Sequence, residues 1–263
     1  MKNSDNRNKN TMSLKLIVFV LFCLLFILTV SVLIFMKSDS HSPHNHEQTE
    51  NLTTQEANNY PTVIIDAGHG GEDGGAIGIN GVYEKDLNLK IALELNELLK
   101  AAGIQTRLTR SEDTLLYDKN SDYEGRKKVL DMAARLGIAQ EYDNAIFISI
   151  HMNSFPQEQY SGLQVYYSEN SPLSTDLAKT VQEIAVKNLQ PDNTRKIKSA
   201  GDNIYLLDKI THPAILIECG FLSNNTECHK LCTDEYRHRL CMTIYYAIMN
   251  YFDTLSNNPS NNP

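Results

Sequence analysis

Apolar residues fall in two rhythms along this chain. Val63–Ile65, Ala145–Ile150 and Ala214–Ile217 are short, near-continuous apolar runs, the pattern of strands covered on both faces of a mainly parallel sheet. Leu87, Ile91, Leu95, Leu98 and Leu99 recur at helical spacing ahead of Gly103, so a helix is expected there with Glu84 near its N-terminus. A second helix is expected over Glu124–Leu136, entered through the polar loop 117–123. Ser171-Pro172 supplies an N-cap and first-turn pair for a helix carrying Leu177, Val181, Ile184 and Leu189, which Pro191 ends. A closing helix capped by Asp234 turns Leu240, Ile244, Ala247, Ile248 and Tyr251 inward. Gln105–Arg110 and Gly162–Tyr167 read as further strands, and Ile204–Leu207 as a short one. Alternating strands and helices predict an α/β fold: a mixed, mainly parallel central sheet flanked by helices on both faces, in a single domain.

One apolar run is of another kind. Leu16–Met36 holds 21 residues without a charge, enough at about 1.5 Å per residue to cross a hydrocarbon core of about 30 Å. Lys2, Arg7, Lys9 and Lys15 precede it against the single acid Asp5, so the N-terminus is expected to stay cytoplasmic and the rest to be exported. A cleaved signal peptide competes with this anchor, but its apolar stretch is shorter and ends at small residues, which Leu33-Ile-Phe-Met36 lacks. The expected order is a cytoplasmic N-terminus (1–15), a transmembrane signal anchor (16–36), a flexible Ser/Asn/His/Gln/Thr-rich linker (37–59), one globular domain (60–255) and a disordered tail (256–263). His41, His44 and His46 belong to the solvated linker.

Five of the 24 basic residues and one of the 32 acidic residues lie in 1–37, leaving 19 bases against 31 acids beyond, a charge of −12. A nucleic-acid partner would require a basic face and is excluded on that ground. Cys219, Cys228, Cys232 and Cys241 are expected to be buried free thiols, because a domain of this size needs no staples and the spacing lacks paired short zinc motifs.

The ends of the apolar runs carry the chemistry. The first passes into Asp66-Ala-Gly-His-Gly-Gly71, the second ends on His151 and the third on Glu218. In α/β sheets ligands gather at the carboxyl ends of strands. The glycine-rich turn lacks a Gly-Lys-Ser/Thr ending, does not fit Gly-x-Gly-x-x-Gly, and carries Glu72 and Asp73, which would repel a phosphate. Its glycines are better used sterically, for a tight turn and close approach. His69, Glu84, His151 and Glu218 together form the donor set of a zinc hydrolase: three ligands, an open position for water and a carboxylate for its proton.

Four blocks, Asp66-Ala-Gly-His-Gly-Gly71, Glu84-Lys-Asp-Leu-Asn-Leu89, Ser149-Ile-His-Met-Asn153 and Pro213-Ala-Ile-Leu-Ile-Glu-Cys-Gly-Phe-Leu-Ser-Asn224, resemble in sequence and order the signatures of the zinc-dependent N-acetylmuramoyl-L-alanine amidases. The resemblance covers about residues 60–252 and is strongest to the germination-specific amidases of endospore formers, through the apolar N-terminal run, the Tyr123–Lys128 region, Asn193–Lys198 and Ile204-Tyr-Leu206. It implies Zn2+ held by His69, Glu84 and His151, with Glu218 as the catalytic carboxylate. It further implies peptidoglycan as substrate, cut between N-acetylmuramic acid and L-alanine, for formation of muramic-δ-lactam in spore cortex. Asp66 either orients a ligand histidine or closes the turn; Asn153 stands beside the site; Arg195 either meets peptidoglycan carboxylates or belongs to a solvated basic turn with Lys196 and Lys198.

Arg126-Lys-Lys-Val-Leu-Asp131 departs from the usual Arg-x-x-x-Ala-Asn of the family, and the chain between His151 and Gly162 is too short for the autoinhibitory helix of division amidases. Control is therefore expected from an accessory activator protein, associated with the membrane, that completes or stabilises the metal site. Two other readings use the same residues: a zinc carboxypeptidase trimming stem peptides, which would want an arginine clamp that is not evident, and a non-catalytic wall-binding module, which has no use for Glu218.

Overall fold

The computed structural model describes residues 60–118, 120 and 125–257, within the compact unit Gln55–Pro263. The expected anchor, the linker and residues 258–263 lie outside the described residues, and among those described no helix is long and apolar enough to cross a membrane.

Six strands form one sheet: β1 (Thr62–Ala67), β2 (Thr106–Leu108), β3 (Ala145–Asn153), β4 (Gln164–Tyr167), β5 (Lys198–Ser199) and β6 (Ala214–Phe221), in the order β2-β1-β3-β6-β4-β5. Every neighbouring pair is parallel except β4 with β6, so the sheet is mixed and mainly parallel. Around it run α1 (Glu84–Ala101), α2 (Lys127–Ala139), α3 (Pro172–Asn188), α4 (Tyr205–Lys209), α5 (Asn225–Cys232) and α6 (Asp234–Ser256).

Side chains alternate across a strand, and here the alternation sorts two unequal cores. On one face Val63, Ile65, Ile146, Ile148, Ile215 and Ile217 pack with Leu87 and Ile91 of α1, Leu177 and Val181 of α3, and Ile244 and Ile248 of α6. On the other, Ile64, Phe147 and Leu216 pack under Leu206 and Leu207 of α4, with Met132 and Leu136 of α2 against the same cluster. Two residues further along these strands on this second face stand Asp66, Ser149 and Glu218, and His151 follows Ser149. Parallel register aligns them: Asp66 lies across from Ser149, and His151 across from Glu218. The sheet thus carries apolar residues beneath α2 and α4 and gathers polar ones at its carboxyl edge.

The structure corrects several local expectations. Ile204–Leu207 does not form a strand; Tyr205–Lys209 is one short helix, because Leu206, Leu207 and Ile210 fall at i, i+1 and i+4 and bury one helical face. The second helix begins at Lys127 rather than Glu124, since Gly125 adopts φ +77° and breaks the approach, and it runs on to the buried Ala139. Strand β5 was not foreseen, as two residues carry no periodicity. The closing helix is capped by Thr233, whose side chain accepts from Tyr236 N, with Asp234 in its first turn. All four described cysteines are free, but Cys232 is exposed.

Candidate metal centre

Three segments deliver three donors to one point. His69 sits in the turn after β1, Glu84 opens α1, and His151 lies near the end of β3; one ligand atom from each falls within 4.8 Å of the others. Glu84 Oε1 stands 2.9 Å from His151 Nδ1, and Oε2 stands 3.3 Å from His69 Nε2. The imidazoles meet edge to face with centroids 4.9 Å apart. Glu84 also accepts from Met152 N (3.0 Å), Ala76 N (2.8 Å) and the Asn88 amide (3.3 Å). Burial would raise its carboxyl, but hydrogen bonds and charge from His151 and His69 outweigh that and hold it far below the usual carboxylate range. His69 is correspondingly raised: burial opposes its charge, and Glu84 with Asp73 overcomes that opposition.

The donor set fits a zinc ion, which favours two imidazoles and a carboxylate with a fourth position open to water. Two glycines shape a cradle for it. A β-carbon on Gly68 would stand 2.2 Å from the His151 ring, and one on Gly75 would stand 2.5 Å from Glu84 Oε2. The turn itself is conformationally unusual, since His69 takes φ +60°, a conformation costing a non-glycine residue roughly 1–2 kcal/mol.

A buried arginine holds that turn in place. Arg135 of α2 is 0 % exposed; it donates to His69 O (2.6 Å), to Ala67 O (2.8 Å), to Asp66 Oδ1 (2.6 Å) and to Asp131 Oδ2 (2.8 Å). Arg110 donates to Ala67 O (2.8 Å) and Gly68 O (3.0 Å). Asp66 accepts also from Ser149 (2.5 Å) and Thr109 (2.8 Å). Its carboxyl is lowered: burial acts upward, and the Arg135 charge with the Ser149 hydroxyl outweighs it. Asp66 therefore bonds no histidine side chain directly; it reaches His69 through Arg135. Sequence reading missed Arg135. Its signal was present, for Asp131, Arg135 and Ala139 recur every four residues and form the buried stripe of α2.

Glu218 ends the polar row on β6. Its Oε2 is buried without a hydrogen-bond partner. Burial pushes its carboxyl up to about 7, against the lowering influence of His151 and with a further push from Glu84. Asn153 lies beyond His151 where the β3–β6 register shifts, and its carbonyl accepts from Leu222 N at 2.8 Å. Arg195 is not a free basic side chain: it donates to Ser161 O (2.7 Å) and Gln164 Oε1 (2.9 Å) and lies over the Phe221 ring at 4.5 Å. Residues 154–163 contain no helix.

A family model described as N-acetylmuramoyl-L-alanine amidase matches residues 63–250. With that match over a fold and donor set of this kind, the chain belongs to the N-acetylmuramoyl-L-alanine amidase family. It is 35% identical over 190 residues to the germination-specific N-acetylmuramoyl-L-alanine amidase of Bacillus subtilis, covering 72% of this chain and 79% of that one. Among solved structures it is similar to the CwlD amidase of Clostridioides difficile, determined in complex with the GerS lipoprotein, at 38% identity and TM-score 0.70, covering 74% of this chain and 99% of that one. The amidase AmiC2 of Nostoc punctiforme matches at 30% identity and TM-score 0.63, covering 73% and 97%. The expectation of a peptidoglycan amidase is thereby met, and the carboxypeptidase and binding-module readings fall away.

Replacing Arg135 with methionine leaves Asp66 and Asp131 buried without their cation. Removal of one partner from such a network costs about 3–5 kcal/mol, to be read from urea unfolding at neutral pH. Because the folded Asp66 carboxyl is lowered, the wild-type advantage is full above the ordinary aspartate value of about 3.9 and shrinks as pH falls below it. A loss under about 1 kcal/mol, that of a surface pair, contradicts this account.

Proposed function

We propose that this amidase is a zinc enzyme of spore-cortex peptidoglycan, anchored by residues 16–36 with residues 60–255 as its extracytoplasmic catalytic domain. The observation that carries the reading is the convergence of His69, Glu84 and His151 with Glu218 directly across from His151 in register. His69, Glu84 and His151 would hold the ion. Zinc(II), when bound, supplies a Lewis acid that polarises the amide carbonyl and makes water acidic enough to attack near neutral pH.

The chain's own residues do the rest. Glu218, half-buried and with one buried oxygen unpartnered, takes the proton of the attacking water and returns it to the nitrogen of L-alanine as the bond to the lactyl carbonyl breaks. The products are a free lactyl carboxylate on muramic acid and a free peptide amine. Arg135 and Arg110 keep the His69 turn from relaxing. The cortex role follows from similarity to the germination-specific amidase of Bacillus subtilis. An accessory partner is proposed on two grounds: no helix in 154–163 blocks the site, and the similar CwlD amidase was solved with a lipoprotein bound.

Glu218→Gln should retain zinc and lose at least about 10²–10⁴-fold in rate, the usual range for a general base. Glu84→Ala should lose both zinc and activity. Metal analysis and mass spectrometry of digested muropeptides read the two effects; wild-type turnover by the glutamine variant would remove Glu218 from its role. Trimmed stems in place of free muramic carboxylates would contradict the bond assigned. Full activity of the purified chain by itself would argue against a required partner.

A chain lacking residues 1–59 should be soluble, folded and able to bind zinc, because no core pattern begins before Tyr60. Circular dichroism and zinc titration test it. An insoluble product would show that the domain begins earlier, and recovery of the full chain from the soluble fraction of cells would contradict the anchor.

A further inference from the structure

Beyond Glu218, the carboxyl edge of the sheet carries a set of rings that the chemistry above does not use. Phe155 and Tyr160, in the loop between β3 and β4, are 46% and 41% exposed. Their rings meet edge to face at 4.9 Å, and Tyr160 lies 6.4 Å from the buried Phe221, three residues past Glu218 on β6. Arg195 covers Phe221 at 4.5 Å. Single exposed aromatics are ordinary, whereas contiguous ones mark an interaction surface.

This loop is pinned along its length. Phe155 N donates to Ser223 Oγ (3.0 Å), the Asn224 amide to Glu158 O (2.8 Å), Gly162 N to Glu227 Oε1 (2.9 Å), and Arg195 Nε to Ser161 O (2.7 Å). The rings are therefore presented in a set arrangement, which lowers the entropy lost on binding. Their position also names the occupant. Arg195 bonds Gln164, whose Cα lies opposite Glu218 on the same face. An edge this close to Glu218 lies where a substrate whose scissile amide reaches Glu218 continues past the bond to be cut. Pyranose rings present an apolar C–H face that stacks on aromatic side chains and hydroxyls that suit a guanidinium.

We propose that Phe155 and Tyr160, backed by Phe221 and Arg195, form a saccharide subsite that holds a glycan ring of the substrate beside Glu218; this rests on the amidase reading. Exposed flat rings beside a guanidinium fit the apolar face and hydroxyls of a sugar better than a stem peptide, so the sugar is the occupant.

The full-length protein and two double variants test it, Phe155→Ala with Tyr160→Ala and Phe155→Leu with Tyr160→Leu. Leucine keeps apolar packing within the loop but removes the flat ring. Three quantities are compared: binding to glycan strands stripped of peptide, kcat/KM on solubilised peptidoglycan strands, and kcat/KM on a muramoyl peptide without neighbouring sugars. In both variants, stripped-strand affinity and the ratio of strand to muramoyl-peptide kcat/KM should each fall at least about tenfold, the loss of a stacking contact of roughly this worth. Unchanged strand binding, an equal loss on both substrates, or a loss confined to the alanine variant overturns the subsite. Wild-type protein that binds stripped strands but cleaves neither substrate, even in membranes of its own cells where an accessory partner is supplied, would instead count against the amidase reading and leave the subsite standing.

Discussion

Glu84 puts a negative charge at the start of a helix, 3% exposed, and among the described residues no lysine or arginine pairs with it. Burying a carboxylate costs several kcal/mol unless its lone pairs are met. Here they are met from three directions: two backbone N–H groups, from the turn after β1 and from β3, one amide from its own helix, and two imidazoles. The turn, α1 and β3 thus cannot move apart without exposing an unpaired charge. The same two imidazoles and carboxylate are what a divalent ion needs, so the contact that fixes the fold at this edge also prepares the site.

The layer beneath serves the same end. Arg135 and Arg110 donate to successive carbonyls of residues 67–69, which lets His69 persist at φ +60°. Arg135 is held in turn by Asp66 and Asp131, and Asp66 by the Ser149 hydroxyl. Those partners lie on β1, α2 and β3, so the ion pair couples the smaller core to the metal turn. Glu218 is treated differently. Among the described residues it has no counter-ion of its own, and one oxygen is unpartnered, as suits the proton acceptor proposed for it.

Much of this was legible in the chain because it is local. The buried strands appear as apolar runs, α1 as a 3.6-residue rhythm, and His69, His151 and Glu218 as polar residues placed where those runs end. What escaped depends on pairs far apart in sequence. Arg135 meets Asp66 across 69 positions and His69 across 66; the four-residue stripe of its helix marks it as inward-facing but does not name those partners. The segment Ile204–Leu207 misled because four residues cannot distinguish a strand from one helical turn; its partners Phe147 and Leu216 decided it. The steric use of glycine was readable in kind, but only the structure shows that Gly68 faces the His151 ring and Gly75 faces Glu84.

The central claim is that one buried carboxylate and two imidazoles are the protein ligands of the metal. X-ray absorption at the zinc edge of the zinc-loaded full chain tests it most directly. The account predicts nitrogen and oxygen scatterers at about 2.0–2.2 Å, with the outer-shell signature of two imidazoles and no sulfur. A sulfur scatterer near about 2.3 Å, which would bring in one of the free cysteines, or a shell without two imidazoles, would contradict it.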